Sequence, residues 1–86
     1  SLFIQKAMLL NEMSDWDGIK EATEMALLDP NLENPGDVFI LRGMAHTELE
    51  EYDQAIESFT EAIEIGTESN KRNAESWIEY VSDRRG

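Results

Sequence analysis

The chain has 86 residues, with 19 Asp and Glu against 7 Lys and Arg, a formal net charge of −12 and no cysteine. A polyanion of this size lacks the cationic surface that DNA, RNA or anionic lipid requires, and disulfides, cysteine-based zinc sites and cysteine nucleophiles are excluded. No apolar run approaches the ~20 residues of a membrane span, yet a hydrophobic content of 41% is too rich for a disordered acidic tail.

The length allows one small domain with a thin core, since a chain of this size hides only roughly 60–65% of its unfolded surface. It starts without Met or a leader, the pattern expected of a fragment of a longer protein. The acidity is uneven: residues 1–70 carry −13 and residues 71–86 carry +1.

Breakers divide the chain into five segments of helical length. Ser14-Asp15 interrupts the first apolar pattern and Asp29-Pro30 ends the second. Asn34-Pro35-Gly36 closes a short polar connection, Glu50-Glu51 separates the next two runs, and Gly66-Thr67 precedes the last. Proline cannot continue a helix and disfavours the helical conformation in the residue before it. Within segments the apolar residues recur at helical spacing: Ala55, Ile56, Phe59, Ala62 and Ile63 in one, Ala74, Trp77, Ile78 and Val81 in another. No alternating strand pattern is present, so the spacing predicts an all-α chain.

The stretch around Asp15, Asp17 and Gly18 has two readings. As a calcium loop with Gly18 at position six, Asp15 and Asp17 fall on three and five and Glu24 on twelve, but position one is Met13 and position eight is Lys20. As a helix start, Ser14 and Asp17 form a cap-like pair that suits the positive helix end. Nothing else suggests chemistry. His46 is the single histidine, the glycines form no phosphate loop, and carboxylates on amphipathic helices are first a solvated face. The expectation is therefore no enzyme, no metal and no cofactor.

Shifted by 36 positions, the chain meets itself: Phe3 on Phe39, Met8 on Met44, Glu12 on Glu48, Trp16 on Tyr52, Asp17 on Asp53 and Ala26 on Ala62. A period of this length in paired helices indicates a solenoid whose neighbouring units complete each other's core. Residues 36–66, with Phe39, Gly43, Ala45 and His46 followed by Tyr52, Ala55, Phe59 and Ala62, resemble a tetratricopeptide repeat. Gly43 and Ala55 suit a close helix crossing, Phe59 and Tyr52 the space beside it, and His46 stands where the pattern has a packing ring. Residues 1–32 resemble a weaker copy in which Thr23 takes the Phe59 position.

The resemblance implies a helical-hairpin solenoid of about five helices: a divergent repeat over 1–35, a second over 36–68 and a closing helix over 69–86. It also implies a concave surface lined by Ile4, Met8, Asn11 and Glu12 from the first repeat and Ile40, Met44, Thr47 and Glu48 from the second. A Met-bearing apolar strip edged by carboxylates suits a protein or peptide with apolar anchors and basic flanks. The alternative is that these side chains pack against neighbouring helices or mediate self-association at an array end. Asn34-Pro35-Gly36 and Trp77-Ile78-Glu79-Tyr80 further resemble the C-terminal end of repeat proteins found with bacterial TonB-type energy-transduction systems. That resemblance implies a periplasmic, envelope-associated scaffold for iron uptake, with TonB-system components as partners; without it, the cytoplasm is the alternative. Glu48, Glu50 and Glu51 form an acidic corner that would receive a basic partner or stand solvated, and Tyr80 rather than Trp77 is expected at the surface.

Overall fold

A computed structural model describes residues 15–86. These form four α-helices and no strand: α1 (Trp16–Ala26), α2 (Pro35–Glu48), α3 (Tyr52–Ile65) and α4 (Glu68–Arg85). The expected all-α class holds for the described residues. The first of the five expected helices, together with Ile4, Met8, Asn11, Glu12, Met13 and Ser14, lies outside them.

Each helix begins and ends for a local reason. The cap of α1 is Asp15, whose carboxylate accepts the Gly18 N–H at 3.0 Å, while Asp17 sits in the first turn. This cap satisfies an orphan donor of the first turn; the expected pairing of Ser14 with Asp17 falls on Ser14, outside the described residues. The helix stops at Ala26, three residues before the Asp29-Pro30 breaker. Proline at 30 disfavours a helical Asp29, and the chain leaves through tight turns from the Leu28 and Asp29 N–H groups to the Met25 and Ala26 carbonyls.

Pro35 opens α2 at a position where its missing N–H would have had no partner. The carbonyl of Asn34 accepts the N–H groups of Asp37 and Val38, at 3.1 and 3.3 Å. At the other end the Glu51 N–H bonds to the His46 carbonyl at 2.8 Å and the Glu50 N–H to the Thr47 carbonyl at 3.1 Å. Glu50 has φ 62°, the left-handed conformation that this pair of closing bonds requires. A glutamate holds a place that usually favours glycine.

Gly66 ends α3, and Thr67 starts α4 with a reciprocal cap. The Thr67 hydroxyl accepts the Asn70 N–H at 3.2 Å, and the Asn70 side-chain oxygen accepts the Thr67 N–H at 3.0 Å. Arg84 and Arg85 lie in the last turn, where cations suit the negative end of the helix.

Packing follows the apolar stripes. The α3 helix packs on both α2 and α4, α2 also packs on α1, and a smaller contact joins α2 to α4. Ile40, Ala55, Phe59, Ala62, Ala74 and Val81 form the buried core, with Met44, Tyr52, Ile56, Ile63, Trp77 and Ile78 packed against it. Phe59 is completely buried, a burial worth roughly 1.5–3 kcal/mol. Trp77 stacks on it with ring centroids 5.6 Å apart and planes 8° apart. Ile19 and Thr23 are the buried residues of α1, and the Thr23 hydroxyl donates to the Ile19 carbonyl at 2.8 Å. That internal bond lets a polar residue occupy a fully buried position.

Candidate functional site

Of the eight residues assigned to the concave surface, four lie on α2 within the described structure, and they divide by exposure. Ile40 is 6% exposed and belongs to the core. Thr47 is 5% exposed, and its hydroxyl donates to the Gly43 carbonyl at 2.8 Å. Met44 is half-buried against the core, and Glu48 is exposed. What α2 offers a partner from this set is therefore the outer part of Met44 and the Glu48 carboxylate.

A second constellation sits at the acidic corner. Glu51 accepts two bonds from Lys20 Nζ, at 2.9 Å (Oε1) and 3.2 Å (Oε2), and its Oε1 lies 2.9 Å from His46 Nδ1. Lys20 comes from α1 and His46 from α2, so one carboxylate at the α2–α3 turn fastens α1 to the next hairpin. The Lys20 ammonium, then the His46 ring, hold the Glu51 carboxyl below its ordinary 4.5. An ionised carboxylate only accepts, so in this contact His46 Nδ1 is the donor. His46 is 6% exposed. It packs as a ring should, with its polar edge satisfied.

Arg42 adds to the same junction. Its Nη1 donates to the Lys20 carbonyl at 2.8 Å and to Thr23 Oγ1 at 3.3 Å, crossing from α2 to α1. The acidic corner thus receives its cation from within the chain. The spacing of helices does not bring Lys20 and Glu51 together, but charge arithmetic gives a signal. Lys20 and Arg42 are the only Lys or Arg between residues 7 and 70, so an acidic fold has few other sources of countercharge.

Between α2 and α3 lies a cleft of about 270 Å³. Phe39, Arg42 and His46 form its α2 wall, and Gln54, Glu57, Ser58 and Glu61 its α3 wall. On α4, Tyr80 is 42% exposed, meets Trp77 edge to face at 5.6 Å, and carries the Arg84 guanidinium 4.6 Å above its ring. Trp77 is half-buried, as its place on the apolar stripe predicts. The segment weighed as a calcium loop is helical from Trp16 onward, and Asp15 is engaged as the cap. Among the described residues no group of three His, Asp or Glu side chains is placed to hold a metal ion.

No known protein family, curated protein or solved structure matches the chain. What fold and surface define is a class: four packed α-helices over residues 15–86, with no helix among the described residues long and apolar enough to cross a membrane.

Proposed function

We propose that the chain is a non-catalytic protein-interaction module, the end of a tetratricopeptide-type array with repeats over 1–35 and 36–68 and a closing helix over 69–86. The observation that supports this most directly is the seating of Phe59 on Gly43. A Cβ at position 43 would stand 2.5 Å from the ring, so α2 and α3 meet closely at two of the positions on which the resemblance rests. Docking uses Met44 and Glu48 on α2, together with Ile4, Met8, Asn11 and Glu12. Surrounding carboxylates steer a partner that is basic and carries an apolar anchor.

A peptide array that varies basic and apolar content tests the reading, with affinities measured by fluorescence anisotropy at low and high salt. Met44→Glu should weaken the best binders while the variant remains folded, and affinity should fall with ionic strength. Equal binding by a folded Met44→Glu variant removes the groove from the mechanism. Salt-independent affinity removes the steering.

A second reading, self-association at the array end, is favoured by Met25 and Leu28, which are 66% and 75% exposed where α1 ends. Light scattering against concentration separates it from peptide docking. The finer assignment, a periplasmic scaffold of a TonB-type iron-uptake system, rests on Asn34-Pro35-Gly36 and Trp77-Ile78-Glu79-Tyr80. The identity of the neighbouring genes tests it.

A further inference from the structure

Among the described residues two cations are half-buried, Lys20 and Arg42. They are served differently. Lys20 meets the Glu51 carboxylate. Arg42 uses Nη1 on the Lys20 carbonyl and the Thr23 hydroxyl, and no carboxylate oxygen of the described residues lies within 4.0 Å of it. In a chain with 19 carboxylates this is unexpected. A guanidinium drawn partly out of water needs a countercharge or further acceptors. The two bonds to α1 fix its position, and Nε and Nη2 have no hydrogen-bond partner among the described residues.

Arg42 and His46 line one wall of the α2–α3 cleft, and Glu57 and Glu61, one helical turn apart, line the other. His46 has Nδ1 committed to Glu51, which orients its ring. The cleft is thus polarised, with positive charge on the α2 wall and negative on the α3 wall, and Phe39 supplies an apolar surface. A simple anion would face Glu57 and Glu61, and a simple cation would face Arg42. A ligand that carries both charges satisfies both walls. The volume of about 270 Å³ lies just below the ~300–1,000 Å³ of drug-sized sites, which suits a smaller molecule.

We propose that this cleft binds a small zwitterion with one carboxylate and one ammonium, as a free α-amino acid has. The carboxylate pairs with the Arg42 guanidinium, the ammonium faces Glu57 and Glu61, and the hydrocarbon portion lies against Phe39. The site is separate from Met44 and Glu48, so its failure would leave the docking proposal standing.

The test is an amide NMR titration of the full chain with glycine, L-alanine and L-leucine. Acetate and methylammonium at matched ionic strength are the single-charge controls. A zwitterion should give saturable shifts on the residues of the cleft, with either control at least about tenfold weaker, because one charge-assisted hydrogen bond is worth on the order of that factor. Arg42→Met and Glu57→Gln should each weaken binding by about tenfold. Arg42 also ties α2 to α1, so if Arg42→Met fails to fold, the exposed Glu57→Gln decides alone. Equal shifts with acetate, shifts that never saturate, or undiminished binding by Glu57→Gln would overturn the proposal.

Discussion

The Phe59 ring lies directly over the backbone of Gly43, so that a Cβ built at 43 would stand 2.5, 2.6 and 2.8 Å from three ring carbons. Replacing a helix-interior glycine with alanine ordinarily gains up to ~1 kcal/mol of helix propensity. Here the overlap opposes it, because Phe59 is completely buried and has no free direction in which to move. Overpacking costs about 1–3 kcal/mol, so Gly43→Ala should destabilise the protein by roughly 1–2 kcal/mol in urea unfolding. The coupling is checked by a double-mutant cycle: Phe59→Leu should be less damaging in the alanine background than in the wild type.

Glu50 predicts the opposite sign. Its φ of 62° places a non-glycine residue in the left-handed region, where a Cβ costs about 1–2 kcal/mol. Glu50→Gly removes that strain but adds freedom to the unfolded chain, a loss of roughly 0.5–1 kcal/mol. The net expectation is a gain of up to about 1 kcal/mol, read as a raised urea midpoint at unchanged slope. A lower midpoint would show that the glutamate side chain contributes more than its backbone strain costs.

Glu51 makes stability depend on pH in a defined direction. Lys20, then His46, lower its folded pKa below the ordinary 4.5. The stabilisation from this carboxylate is therefore fully present above about pH 4.5 and is lost as pH falls through the lower folded value. Glu51→Gln should be less stable than wild type at neutral pH, with the difference shrinking in thermal melts taken below pH 4. Because the Glu51 side chain is 35% exposed, solvent screening keeps the effect modest.

Asn70 links two helix starts. Its side chain accepts from the Thr67 N–H and donates to Asp37 Oδ1 at 2.6 Å, while the residue is only 8% exposed. Asn70→Ala should cost about 1–3 kcal/mol, more than the ~1 kcal/mol expected for Thr67→Ala, which removes one capping acceptor. Chemical denaturation of the two variants side by side checks the order. Gly36→Ala should also destabilise, since its Cβ would stand 2.7 Å from the Gly66 backbone as well as against Asn70.

Trp77 and Tyr80 separate packing from surface. Trp77 stacks on Phe59, and Trp77→Ala should cost about 3 kcal/mol. Tyr80 is 42% exposed, and Tyr80→Ala should stay within about 1 kcal/mol. Equal losses in unfolding experiments would mean that the Tyr80 edge contact and the Arg84 stack contribute more than exposed contacts usually do.

Periodicity made the helices legible. The stripe Ala55, Ile56, Phe59, Ala62, Ile63 and the stripe Ala74, Trp77, Ile78, Val81 are the faces that α3 and α4 bury or half-bury. Pro35 and Thr67 marked two starts because their reasons are local: a missing N–H and a capping hydroxyl. The Asp29-Pro30 breaker marks the end of α1 three residues beyond Ala26, because turns closed by backbone bonds leave no residue signature. The candidate groove was legible as a row on α2 but not as a surface. Spacing puts Ile40, Met44 and Thr47 on one side, whereas exposure depends on what packs against that side, and Ile40 proves to be core.

The net charge of −12 and its imbalance were determined by sequence alone, as were the helical period and the scarcity of cations between residues 7 and 70. Tertiary structure alone decided where those few cations go. Lys20 reaches Glu51 across 31 positions and Arg42 reaches Lys20 across 22, distances along the chain at which no local rule operates. The reason is physical: helix formation is governed by neighbours three and four residues apart, whereas ion pairs and clefts form wherever packing brings side chains together. Packing, in turn, is set by the volumes of residues such as Gly43 and Phe59 acting across two helices.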